Sequence, residues 1–154
     1  MSLKTQIEDA ARSALKNHES ELLSTLRMLL SAIHNKEIEK RAKTGKPEEL
    51  PEEEATAVLR SEAKKRREAT VEYEKAGRKE SAEKETRELK ILEKYLPQEL
   101  GDEEIEKMAR DVVVQIGPVG EKDFGRVMGE VMKKLKGRAG GDRVGGVVKK
   151  LLAP

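Results

Sequence analysis

Asp123-Phe-Gly-Arg-Val-Met-Gly-Glu-Val-Met-Lys-Lys-Leu-Lys-Gly-Arg-Ala-Gly-Gly-Asp-Arg-Val144 carries an apolar stripe of helical period, broken by glycine and followed by a basic glycine loop. Phe124, Val127, Met128, Val131, Met132 and Leu135 follow the i, i+3, i+4, i+7 spacing of one helix face, while Gly125 and Gly129 lie on a neighbouring face. An interior glycine costs about 1 kcal/mol relative to alanine in a helix. A pair of them four residues apart therefore predicts close approach of another backbone, either an adjacent helix or a bound polymer.

The same aliphatic, helix-period pattern extends to the rest of the chain and sets the fold class. Of 154 residues, 36% are hydrophobic and only 2% aromatic, so Leu, Val, Ile, Ala and Met must fill the interior. Aliphatic stripes packed helix on helix suit that inventory better than a sandwich or barrel, and an all-α protein is expected. Charged residues make up 40% but balance to a formal +2, which leaves little self-repulsion. With no cysteine, disulfides, thiol nucleophiles, zinc fingers and iron–sulfur clusters are excluded. The amino terminus reads as no signal peptide and no segment approaches 18 apolar residues, so the expectation is a cytoplasmic protein with no membrane partner.

Working outward, Leu3, Ile7, Ala10, Ala11, Ala14 and Leu15 predict a first helix ending near Asn17 and His18. A second runs from Glu19 or Ser20 to about Arg41 on Leu22, Leu23, Leu26, Leu29, Leu30 and Ile33. Thr44 to Pro51 is a loop, and Pro51 before three glutamates opens the next helix, which is mostly wet and stops near Gly77. A fourth follows from about Lys79. Glu62 with Arg66, Glu80 with Lys84 and Glu83 with Arg87 have the acid-first i, i+4 order that supports a helix. The pattern halts at Leu96 and restarts after Asp102, an N-cap candidate, so the chain divides into an N-terminal helical domain, residues 1–97, and a C-terminal three-helix domain, residues 98–154.

Catalytic chemistry is scarce. His18 and His34 are the only histidines and neither has a recognisable partner; both read as helix or helix-end residues. Glu52, Glu53 and Glu54 are explained by the positive end of a helix dipole. There is no nucleophile elbow, no zinc-protease helix, no P-loop and no dinucleotide fingerprint. No catalytic residue, cofactor or metal is assigned. Charge distribution says more: from Gly117 onward there are nine basic residues against four acidic, a net +5. Basic side chains around a glycine loop that leads into a helix suit phosphate. The candidate nucleic-acid-binding residues are Arg126, Lys133, Lys134, Lys136, Gly137, Arg138, Gly140, Gly141 and Arg143. The competing reading is a solvated surface with a flexible turn, since aromatic stacking residues are missing here. Lys64-Lys-Arg-Arg67 forms a collar around its helix and reads as a solvated face.

Taken together, Leu26-Arg-Met-Leu-Leu-Ser-Ala-Ile33 with Glu37-Ile38, Glu62-Ala-Lys-Lys-Arg-Arg-Glu68, Tyr73-Glu-Lys-Ala-Gly-Arg78, Glu93-Lys-Tyr-Leu-Pro97, Asp123-Phe-Gly-Arg-Val-Met-Gly129 and Lys136-Gly-Arg-Ala139 resemble the YqeY family over essentially the whole chain. These are stand-alone relatives of the tail domain of the B subunit of glutamine-dependent aminoacyl-tRNA amidotransferase. The resemblance implies an all-helical fold of two parts. It also implies tRNA as a partner, alongside aminoacyl-tRNA synthetase or amidotransferase components, and a family label of carbon–nitrogen ligase with glutamine as amide donor. The chain departs from the family pattern at Gly140, where an acidic residue is usual, and at Gly145 and Gly146, where polar residues are usual. That departure predicts a late start for the last helix, with Asp142 supplying the missing carboxylate or the cap simply looser. The reading that follows is a tRNA-binding or amidotransferase-associated helical module without its own catalysis; the alternative is a helical protein-interaction module with no nucleic-acid role.

Overall fold

A computed structural model describes residues 1–154 and contains helices only. Seven α-helices follow one another: α1 (Leu3–Lys16), α2 (Ser20–Thr44), α3 (Glu52–Lys75), α4 (Lys79–Glu93), α5 (Asp102–Ile116), α6 (Phe124–Leu135) and α7 (Gly141–Leu152), with one 3-10 turn at Glu121–Asp123 before α6. The protein is all-α. Contacts divide the chain between Leu96 and Pro97 into a front unit and a tail unit.

In the front unit the stripes meet in a core of Leu3, Ile7, Leu26, Leu29, Ile33, Leu59 and Leu92. Burying each such side chain contributes about 1.5–3 kcal/mol, which is what holds α3 despite its thin apolar face. Gly45 and Gly77 end α2 and the α3 region in the left-handed conformation, as glycine permits. α2 runs three residues beyond the point where its apolar stripe fades, because Thr44 and the Gly45 cap still satisfy its last carbonyls.

The collar reading of Lys64 to Arg67 needs correction at one position. Lys64, Lys65 and Arg67 are exposed, but Arg66 is buried between α3 and α4, 3% exposed. Its Nη1 donates to Glu62 Oε2 at 2.9 Å and its Nε lies 3.4 Å from Glu88 Oε2, itself buried. A guanidinium taken out of water needs such opposing charge. Arg87, by contrast, does not close the expected pair with Glu83; its Nε donates to Glu21 Oε1 on α2 at 2.8 Å. Tertiary approach of α2 to α4 offers the better-aligned acceptor.

The tail unit packs Leu100, Ile105, Ala109, Val112, Val127, Val131, Leu135, Ala139, Val144, Val148 and Leu152. Asp102 is the first residue of α5 and not its cap: Gly101 takes that place, and Glu104 reaches back to accept the Gly101 N–H at 3.1 Å. The late start expected for the last helix does not occur. α7 begins at Gly141 behind an N-cap of Gly140 with no side-chain cap, so Gly145 and Gly146 lie inside it. Burial of Val144, Val148 and Leu152 outweighs two interior glycines at about 1 kcal/mol each. At Gly145 the ring of Phe124 and the methyl of Met128 sit 3.8 and 3.9 Å from where a Cβ would stand, so α6 rests on α7 there.

Candidate nucleic-acid interface

The glycines of α6 are the first test of the site, and they overturn half of the sequence expectation. No neighbouring atom lies within 4 Å of a Cβ built on Gly125 or on Gly129. Neither is covered by another helix, because α5 and α7 pack on the opposite stripe of Val127, Val131 and Leu135. The two glycines therefore form an exposed strip of bare backbone along α6.

Cations flank that strip. Arg126, Gly129 and Lys133 fall on one face by helical spacing, with Lys136 just past the end of the helix. Arg126 and Lys133 are mostly exposed, and their intrahelical partners hold them loosely: Asp123 at 3.9 Å and Glu130 at 3.3 Å. Ion pairs of this kind contribute little and leave the charge available to a stronger anion. Lys134 is turned toward α5, where its Nζ donates to Gln115 Oε1 at 3.2 Å. The sequence-assigned set is thus not one constellation but two.

The second group belongs to the loop between α6 and α7. Lys136 and Gly137 are both left-handed, φ 49° and 76°, and the chain reverses through them. Such a φ at lysine is strained by about 1–2 kcal/mol, since its Cβ crowds the following carbonyl. Lys136 and Arg138 point to solvent, Gly140 and Gly141 open α7 with their backbone exposed in part, and the Asp142 carboxylate in its first turn accepts the Arg143 N–H at 3.0 Å. The loop is nevertheless tied down from one side: Leu100 N–H donates to Arg138 O at 2.8 Å, and the Arg138 Nε approaches Gln98 O at 3.5 Å. Arg143 faces the same segment. It donates to Glu99 Oε2 at 3.3 Å, Asp102 Oδ1 at 2.7 Å and Leu100 O at 3.0 Å. The hydrogen bond it donates to the Asp102 carboxylate holds the Arg143 guanidinium above its ordinary pKa. Nothing in the sequence distinguished Arg143 from its neighbours, although the carboxylates at Glu99 and Asp102 are visible 44 and 41 positions earlier.

A separate concavity lies in the front unit. An open groove of about 1220 Å³ runs along α2 and α3, with Leu23, Met28 and Val58 between small residues such as Ser24, Ser31 and Ala57. Most of its charges pair within the unit, as Lys36 with Glu39 and Lys65 with Glu62. His34 stands exposed, with Nδ1 3.6 Å from Glu37 Oε2. Neither histidine is drawn into a cluster of metal-ligating residues.

Residues 4–152 match the family model of the Yqey-like proteins. The chain belongs to the YqeY family. No curated protein matches it significantly. The match spans both units, so the buried Arg66 cluster and the cationic strip of α6 both lie within the YqeY region. No helix is long and apolar enough to cross a membrane.

Proposed function

We propose that this YqeY family protein is a non-catalytic module that binds tRNA through its tail unit, in the cytoplasm, in association with amidotransferase or aminoacyl-tRNA synthetase components. The observation that carries the reading is the uncovered backbone at Gly125 and Gly129, bordered by Arg126, Lys133 and Lys136. Bare helix backbone admits a phosphate chain close to the axis, and flanking cations release counterions when it arrives. Phe124 is the tail's one aromatic residue and the tip of its ring lies against Gly145, so successive bases find no stacking platform and the backbone of the nucleic acid is what is recognised.

Binding is measured by gel-shift titration with total tRNA at several salt concentrations. Lys133→Ala with Lys136→Ala should weaken binding and flatten the salt slope by about two counterions' worth. An unchanged slope refutes the assignment. The ligase label of the family belongs, on this reading, to a larger assembly, and the purified chain should turn over no glutamine by itself.

The α2–α3 groove favours a second reading, a helical interaction module with no nucleic-acid role. Met28 is 47% exposed within it. Under that reading tRNA affinity is absent at all salt concentrations, while Met28→Glu abolishes co-purification of a protein partner.

A further inference from the structure

Gln98 to Asp102 approaches the α6–α7 loop as an acidic strand fixed at its middle. Leu100 is 3% exposed in the tail core, and its N–H and C=O bond to Arg138 O and Arg143 Nη2. Fixing Leu100 leaves the carboxylates on either side of it, Glu99 and Asp102, against the one guanidinium of Arg143, at 3.3 and 2.7 Å. Two carboxylates and a carbonyl around a guanidinium reproduce the oxygens that a phosphate chain would offer. Beside them a cleft of about 390 Å³ between α5 and α7 is lined by Asp102, Glu106 and Asp142 against Arg143 and Lys150. Three carboxylates against two cations make the cleft repel an anion as it stands.

We infer that the Gln98–Asp102 segment is a built-in polyanion mimic: Glu99 and Asp102 occupy Arg143 and withhold it from phosphate until a nucleic acid displaces them. The inference rests on the nucleic-acid reading of the tail. Displacement needs little rearrangement, because the side chains of Glu99 and Asp102 are 47% and 79% exposed and ion pairs at such exposure are weak and salt-screened. Leu100 keeps its place in the core while the Arg143 side chain turns. Arg143 is therefore a reserve contact and not part of the resting cationic face on α6.

The experiment uses the full chain and total tRNA, with affinity read by fluorescence anisotropy between about 50 and 200 mM salt. Glu99→Gln with Asp102→Asn should tighten binding several-fold and steepen the salt slope by about 0.9, one phosphate's worth. Adding Arg143→Ala should abolish that gain. Glu103→Gln with Asp111→Asn, both exposed on α5 and outside the cleft, changes net charge equally without touching Arg143 and should leave the slope as in the wild type. Thermal melts establish that each variant is folded. An unchanged slope in the Glu99/Asp102 variant, a gain that survives Arg143→Ala, or the same slope change in the charge control overturns the inference, while loss of binding in Lys133→Ala/Lys136→Ala would leave the tRNA reading standing. Absence of tRNA binding by every protein, wild type included, overturns both.

Discussion

Replacing Gly125 and Gly129 by alanine probes both the packing of α6 and its use. Both residues lie inside α6, neither has a positive φ, and no atom lies within 4 Å of either missing Cβ. Each substitution then gains helix propensity with no overpacking, about 0.5–1 kcal/mol apiece and about 1–2 kcal/mol together. In a unit of this size that corresponds to roughly 4–8 °C of melting temperature per kcal/mol. Amide hydrogen exchange across Val127 to Met132 reads the effect within the tail, and tRNA titration of the same protein reads function. Exchange should slow while tRNA affinity falls, because two methyl groups now stand where the phosphate chain approaches. Faster exchange would mean that a neighbour covers this face, refuting the open-strip geometry. Slower exchange with undiminished affinity would keep the geometry and refute its role in binding. Gly129→Leu should likewise fold, whereas a buried helix–helix seam would reject it.

Three further outcomes follow from the structure. Arg66→Ala strands Glu88 in the α3–α4 interface and should cost about 3–5 kcal/mol in denaturant unfolding, whereas Arg66→Met combined with Glu88→Leu should cost far less. Burial pushes the Glu62 carboxyl up, but its bonds to Arg66 and Lys65 together hold it below the ordinary carboxylate range, and Lys43 and Lys36 hold exposed Glu39 down to about 2. Depressed carboxyls stabilise the fold above their unfolded pKa of 4.5 and lose that contribution as pH falls toward the folded value, so stability should decline in acid. NMR titration should show the Glu62 midpoint rising in Arg66→Ala, and no rise refutes the pairing. Lys136→Gly relieves a left-handed lysine and should stabilise the tail by up to about 1 kcal/mol in thermal melts while weakening tRNA binding.

Helix positions were legible because burial of a one-sided stripe depends on spacing alone. Val127, Val131 and Leu135, or Leu26, Leu29 and Ile33, recur at helical period and end in the two cores. Where the reading failed, a competing interaction had decided the matter. α7 began early because Val144 and Val148 gain more from the core than Gly145 and Gly146 lose. Asp102 yielded the cap to Gly101 because Glu104 satisfied the Gly101 N–H, which left Asp102 its bond to Arg143. Arg66 left its solvated collar because α4 brought Glu88 to it.

The sequence by itself determined the all-helical class, the approximate helix limits and the concentration of positive charge after Gly117, since these depend on local propensity, period and composition. Only the tertiary structure decided which of those charges stand free of the fold. It placed Gly125 and Gly129 in the open, removing the adjacent helix from the two expected occupants of that face, and it turned Arg143 inward onto carboxylates more than forty residues distant. A pattern of residues specifies which stripe seeks the core, but the partner of a charged side chain is fixed by whichever groups the packing brings within a few ångströms.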